Sequence, residues 1–168
     1  SVITARNLRK KYRGFELSVP RLELPGGFAT ALIGENGAGK TTLLNLLAGI
    51  RLDFKGEISY FGRQEKGIDA SVQERIGYTG PGSYFLPQWT ISQVEEISQI
   101  LFSNFHKDRF SALCGELGIG GKSTGDWGGF RYSSREIKKL SDGNRMKLML
   151  AAVLARDTSL LILDEPAS

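Results

Sequence analysis

One cysteine, Cys114, and one histidine, His106, stand among 168 residues. A lone thiol forms no internal disulfide framework, and one thiol with one imidazole falls short of the four ligands of a zinc site. A reducing, cytosolic compartment fits that scarcity. Long apolar runs are missing too: the longest extends about eight residues, against the roughly 20 that a spanning helix needs. Nothing at the N-terminus resembles a signal peptide, so any membrane-spanning work is expected of another chain. Nor is charge strongly one-sided, with 22 Lys and Arg against 18 Asp and Glu, a net +4. That balance is too mild to argue for nucleic acid; it reads first as a solvated basic face, compatible with a phosphate ligand or an anionic surface. Internal repeats, sustained heptads and basic blocks are absent from the sequence. A composition of 40% apolar and 24% charged residues suits one globular domain, or one domain with a small lobe, able to bury a sizeable core.

Glycine, by contrast, is plentiful, and its first cluster organises the chain. The apolar run Phe28-Ala29-Thr30-Ala31-Leu32-Ile33 leads into Gly34-Glu35-Asn36-Gly37-Ala38-Gly39-Lys40-Thr41-Thr42, and Leu43-Leu44-Asn45-Leu46-Leu47-Ala48 follows. Strand, glycine loop and helix in that order, with G-x-x-x-x-G-K-T between, predict a phosphate cradle. Gly34, Gly37 and Gly39 permit turns that a Cβ forbids, so successive N–H groups can point at phosphate oxygens. The helix starting near Lys40 adds the positive end of its dipole. Lys40 is placed to reach the β- and γ-phosphates, and the Thr41 hydroxyl to hold Mg²⁺. A nucleoside triphosphate is the expected ligand.

Residues 2–24 alternate with a period near two and read as short antiparallel strands, with Tyr12 between them in KKYRG. Gly49 is the expected residue after the loop helix. Short strands are predicted over 56–62 and 75–78, the second followed by a Thr79-Gly80-Pro81-Gly82 loop. Ser92-Gln93-Val94-Glu95 reads as a capping box, with Val94, Ile97, Leu101 and Phe105 on one helical face. A second helix carries Phe110, Leu113 and Leu117 and stops at Gly118. Seven glycines crowd residues 115–130, which reads as a loop in which Trp127 and Phe130 are candidates for packing. Lys138-Lys139-Leu140-Ser141-Asp142-Gly143-Asn144 opens a helix to about Ala155, apolar on nearly every side. Last comes Leu160-Leu161-Ile162-Leu163, apolar as a central parallel strand should be, ending in Asp164-Glu165-Pro166. Ligands bind at the carboxyl ends of such strands. Asp164 is therefore a candidate for Mg²⁺, directly or through water, and Glu165 for polarising a water in line with the γ-phosphate.

GENGAGKTT, KKLSDGNRMKLMLAAVLARD and LLILDEPAS, in that order, resemble the nucleotide-binding domain of ABC transporters across essentially the whole chain. KKLSDGN is similar to the family's LSGGQ signature, which generic phosphate-loop ATPases do not share. The resemblance implies an α/β fold: a phosphate-loop NTPase core with an antiparallel β subdomain and an inserted helical subdomain, here at about 88–140 of a domain covering 1–168. It implies that Tyr12 stacks on adenine, that Gly34, Glu35, Asn36, Gly37, Ala38, Gly39, Lys40, Thr41 and Thr42 hold ATP, and that Thr41 and Asp164 hold Mg²⁺. It makes Glu165 the catalytic base. Ser141, Asp142, Gly143 and Asn144 would meet the ATP of an opposite subunit in a head-to-tail homodimer or heterodimer. The dimer would energise transport through separate transmembrane permease subunits, from the cytoplasmic face of a membrane, with no nucleic acid involved.

Three departures qualify that expectation. IGYTGP carries Pro81 where the family usually has a Mg²⁺- and water-binding glutamine, and Gln88 lies too far along to be equivalent. Asp142 replaces the signature's first glycine, which puts a carboxylate near the docking γ-phosphate; it either weakens the sandwich or turns aside to cap its helix. The family would also continue past Ser168 to a switch histidine, so the chain reads as incomplete at its C-terminus, expected to bind ATP but hydrolyse it poorly. The alternatives are a soluble ABC-type ATPase and a non-hydrolysing ATP-binding regulatory module.

Overall fold

The computed structural model describes residues 1–62, 68–81, 85–124 and 129–164, with the backbone alone at 122–124 and 129–130. Two compact units divide the chain, Ser1–Ile76 and Gly77–Ser168.

The first unit is built on an antiparallel sheet in the order β2-β1-β3, with β1 at Ile3–Tyr12, β2 at Phe15–Leu24 and β3 at Lys55–Tyr60. The expected short strands are two ten-residue strands folded into one hairpin, Tyr12 pairing with Phe15 across its turn. Alternation buries Ile3 and Ala5 of β1 and Ile58 and Tyr60 of β3, the period-two signature of a sheet with one covered face. The register with β3 shifts between Arg6 and Arg9, where Asn7 has φ 49°, and burial resumes one residue out of step at Leu8. Helix α1, Lys40–Leu47, buries Leu43, Leu46 and Leu47. Each such leucine contributes about 1.5–3 kcal/mol. The helix ends at Ala48, with Gly49 beyond it at φ 71°. The buried Tyr60 hydroxyl donates to the Leu47 carbonyl at 3.0 Å, tying the sheet to an otherwise open carbonyl. A short helix α2, Ala70–Glu74, follows, capped by Asp69. The apolar run Phe28–Ile33, expected as a strand, joins none of the sheets formed by the described residues; Phe28 and Ile33 are exposed.

In the second unit, β4 (Ile76–Thr79) pairs with β7 (Leu160–Leu163). The Asp164 N–H donates to the Thr79 carbonyl at 2.8 Å. Both residues lie at the carboxyl ends of their strands, so the pair runs parallel. Among the described residues β7 has β4 as its only neighbour, and Leu161 and Leu163 stay 41% and 40% exposed, in place of the fully covered central strand that the sequence predicts.

Helices α3 (Ile91–Leu101), α4 (Lys107–Glu116) and α5 (Asp142–Leu154) pack around Ile91, Val94, Phe110, Cys114, Ile119 and Leu148. The start of α3 corrects the sequence reading by two residues. Thr90 caps it, and the Gln93 side chain answers to the Thr90 backbone at 2.9 Å. The buried face is accordingly Ile91, Val94, Glu95 and Ser98, while Leu101 is exposed and Phe105 sits past the helix in a bridge to Arg156. Glu95 is buried on that face and is held by the Tyr132 hydroxyl and, at 3.5 Å, by Lys107. Its charge and, before it, burial push the Cys114 thiol up to about 12, so this thiol is inert packing. The glycine-rich segment is not wholly loop: β5 (Gly121–Thr124) and β6 (Gly129–Tyr132) form an antiparallel hairpin. Trp127 and the Phe130 side chain lie outside the described residues.

Candidate functional site

Helix α1 begins at Lys40 with Gly39 as its N-cap, a residue without a side chain to accept from the first turn. The opening N–H groups are therefore not closed by a capping side chain, and no acidic residue occupies that turn. Such an end attracts an anion through its N–H groups and dipole together. Gly39 is required twice over. Its φ is 95°, and an added Cβ would lie 2.7 Å from the Phe15 ring. The Lys40 ammonium folds back over the loop, donating to the carbonyls of Gly34 at 2.6 Å and Glu35 at 2.8 Å. Two of its three donors close the loop and one remains for a ligand. Gly34 to Ala38 are exposed, and Gly39 to Thr42 are half-buried.

Phe15 links this loop to Tyr12. The two rings stack with centroids 6.4 Å apart at 29°, so the β1–β2 hairpin tip stands beside the phosphate loop. Lys10 lies 5.1 Å and Arg51 5.9 Å from the centre of the Tyr12 ring. Tyr12 is thus an aromatic platform held by cations. Phe15, which sequence reasoning passes over, is the residue that joins platform and loop; its only signal is its place opposite Tyr12 in a hairpin.

In the second unit, Asp164 follows β7 directly and is 3% exposed. Its Oδ2 is buried with no hydrogen-bond partner among the described residues. A buried carboxylate oxygen left unpaired is costly, and a carboxylate oxygen is a hard donor of the kind that Mg²⁺ takes, as is a threonine hydroxyl such as that of Thr41 in the first unit. Burial, with the Asp164 charge behind it, pushes the Tyr78 hydroxyl up to about 12. That hydroxyl donates to the Pro81 carbonyl at 3.3 Å. Gln88 is exposed in a separate turn, and Glu165 lies outside the described residues.

The signature-like segment forms the start of α5. Ser141 is the N-cap, its hydroxyl accepting from the Asn144 N–H at 3.2 Å. Asp142 does not cap the helix: it occupies the first helical position and is paired with Arg145. Ser141, Asp142 and Gly143 are exposed and Asn144 is half-buried, and the space about the Gly143 Cα is open. Sequence reasoning misses Arg145, although its place at i+3 from Asp142 is a legible signal.

Comparison with known proteins bears on this arrangement. The chain is 33% identical over 181 residues to the tungstate uptake system ATP-binding protein TupC of Peptoclostridium acidaminophilum, covering 99% of the chain and 72% of that protein. It is 32% identical to an uncharacterized ABC transporter ATP-binding protein of Nostoc, covering 100% of the chain and 50% of the relative. The chain is thus shorter than either. A solved structure described as the ATP binding subunit of an ABC transporter shares the fold at a TM-score of 0.74 and 19% identity, over 99% of this chain and 67% of that one. A family model described as ABC transporter matches residues 17–168, and the chain belongs to that family.

Proposed function

We propose that this chain binds ATP with Mg²⁺ and hydrolyses it as the energising subunit of an ABC transporter. The observation that carries the reading is the Gly39-capped start of α1 with the Lys40 ammonium folded over the same loop. The loop N–H groups of Gly34 to Thr42 take the phosphates, Lys40 supplies a point charge to the β- and γ-phosphates, and Tyr12 stacks on the base. Stacking of this kind is worth about 1–3 kcal/mol and is tolerant of base identity. Thr41 and Asp164 take Mg²⁺, which, when bound, neutralises charge building on the γ-phosphate. Glu165 orients the attacking water and accepts its proton. Ser141, Asp142, Gly143 and Asn144 face the ATP of a second nucleotide-binding domain in a head-to-tail dimer. Residues 88–140 act as the helical subdomain that, with the loop after Tyr78, meets transmembrane permease subunits. The working place is the cytoplasmic face of a membrane; among the described residues no helix is long and apolar enough to cross one.

Pro81 brings no side-chain amide to the γ-phosphate, so hydrolysis lags behind binding in this reading. The same residue is what favours a second reading, a non-hydrolysing ATP-binding regulatory module. Calorimetric titration with Mg-ATP, beside Lys40→Ala and with phosphate release followed in parallel, separates the two. The expected result is binding weakened about tenfold or more in Lys40→Ala, the scale of one charge-assisted hydrogen bond, with slow release by the parent chain. Binding without any release favours the regulatory module, and equal binding by both chains overturns the site.

A further inference from the structure

We propose that Tyr78 is a positioning residue of the cation site: its hydroxyl and the Asp164 carboxylate hold one water between them over Gly80, a water of the Mg²⁺ shell. This rests on the proposed function, which supplies the cation and the nucleotide. It assigns to Tyr78 a part of the role that the side chain at position 81, a proline, does not fill.

Three observations meet here. The first is register. The Asp164 N–H bond to the Thr79 carbonyl, in a parallel ladder, sets Asp164 beside Gly80 and turns both to the face that Tyr78, two residues earlier, also occupies. The second is the glycine. A Cβ at Gly80 would lie 2.3 Å from the Tyr78 hydroxyl oxygen and 2.9 Å from the Asp164 Cβ. Phenol and carboxylate stem thus approach one point, and any side chain at 80 would drive them apart. The third is hydrogen-bond capacity. Asp164 Oδ2 is buried and has no partner among the described residues, while the Tyr78 hydroxyl spends its proton on the Pro81 carbonyl at 3.3 Å.

A hydroxyl that donates its one proton keeps two lone pairs. A water that donates one proton to Asp164 Oδ2 and the other to the Tyr78 oxygen satisfies both groups, and its own lone pairs remain for a cation. Mg²⁺ sheds its waters reluctantly and is commonly bound through them. The loop after β4 thereby reaches the cation through its backbone carbonyl, the phenol and a water, where a glutamine would reach it directly.

The test is Mn²⁺ titration of the full chain with a non-hydrolysable ATP analogue, reading free Mn²⁺ by electron paramagnetic resonance. Metal-free nucleotide affinity and the urea midpoint are measured alongside. Tyr78→Phe removes only the oxygen, and Gly80→Ala fills the point of approach. Each is expected to raise the Mn²⁺ half-saturation about tenfold, the worth of one hydrogen bond to a charged group, with metal-free nucleotide affinity unchanged. Tyr78→Phe with parental Mn²⁺ affinity, beside a Lys40→Ala chain that loses nucleotide, overturns the role of Tyr78 and leaves the site standing. Equal losses of Mn²⁺ and metal-free nucleotide in Tyr78→Phe mark it as packing and overturn the role as well. A parent chain that takes no nucleotide overturns the proposed function and this inference with it.

Discussion

Asp142 shows how a single side chain is managed. A carboxylate in the first turn of a helix suits the positive dipole end, and Arg145 one turn later pairs with it in the open, the acid being 88% exposed. Exposed pairs of this kind contribute little stability, about 0–1 kcal/mol; their use here is to cancel a negative charge on a surface proposed to meet phosphate. Two unit charges about 4 Å apart in water repel by about 1 kcal/mol, so removing the cancelling partner is felt in assembly and not in folding. Arg145→Ala is expected to weaken ATP-dependent dimerisation about fivefold by that measure, and Asp142→Gly to strengthen it slightly, both with unchanged urea midpoints. Sedimentation of a hydrolysis-deficient version with ATP reads this out. Equal dimer affinity in all three chains would mean that Asp142 stands clear of the interface.

Between elements, the second unit is stapled where the turn before α4 meets the end of α5. The His106 N–H donates to the Ala155 carbonyl at 2.8 Å, the Asp157 N–H to the Asn104 carbonyl at 3.2 Å, and the Asn104 amide to the Asp157 carbonyl at 2.8 Å. The Asp157 carboxylate completes the staple, with His106 Nε2 at 2.6 Å and Arg109 at 2.9 Å. Those two partners, His106 first, hold its carboxyl below the usual carboxylate range. A depressed carboxyl contributes stability above its unfolded pKa, near 3.9, and loses it as pH falls through the folded value. The difference in urea midpoint between the parent and Asp157→Asn should therefore be steady near pH 5 and shrink as pH drops towards about 2. A difference that stays constant across that range would show that the staple's backbone bonds, and not the carboxylate, carry its strength. The capping of α3 belongs to this scale too. Thr90-x-x-Gln93 and Ser92-x-x-Glu95 both fit the pattern, and only burial chooses between them. Ile91, Val94 and Glu95 have to face the core together, and the Thr90 cap allows that.

At the scale of the molecule, two units, each with its own buried residues, follow one another along the chain. Leu148, fully buried among the helices of the second unit, measures how much one side chain supports that core. Leu148→Ala is expected to cost about 2–5 kcal/mol, read as a lowered urea midpoint; a loss below about 1 kcal/mol would show a core that closes over the gap. The phosphate loop, the helix after it, the helix opened by Lys138–Asn144 and the strand before Asp164 are all legible because their signals are local: glycine at left-handed turns, apolar residues at helical spacing, an apolar run of four. That Ser141 and not Asp142 caps that helix is read only from the structure. The β5–β6 hairpin is hidden because glycine-rich sequence has no period of its own, and pairing alone makes it a ladder. Phe28–Ile33 misleads for the same reason, since apolar side chains suit a strand but only a neighbour makes one. What the sequence determined by itself was the family, the loop and the identity of its candidate ligands, because these depend on residue types at short fixed spacings. Tertiary structure alone decided that Phe15 joins Tyr12 to the loop, that Arg145 holds Asp142, and that Tyr78 and Asp164 converge over Gly80, because each depends on register and burial between segments that no spacing along the chain encodes.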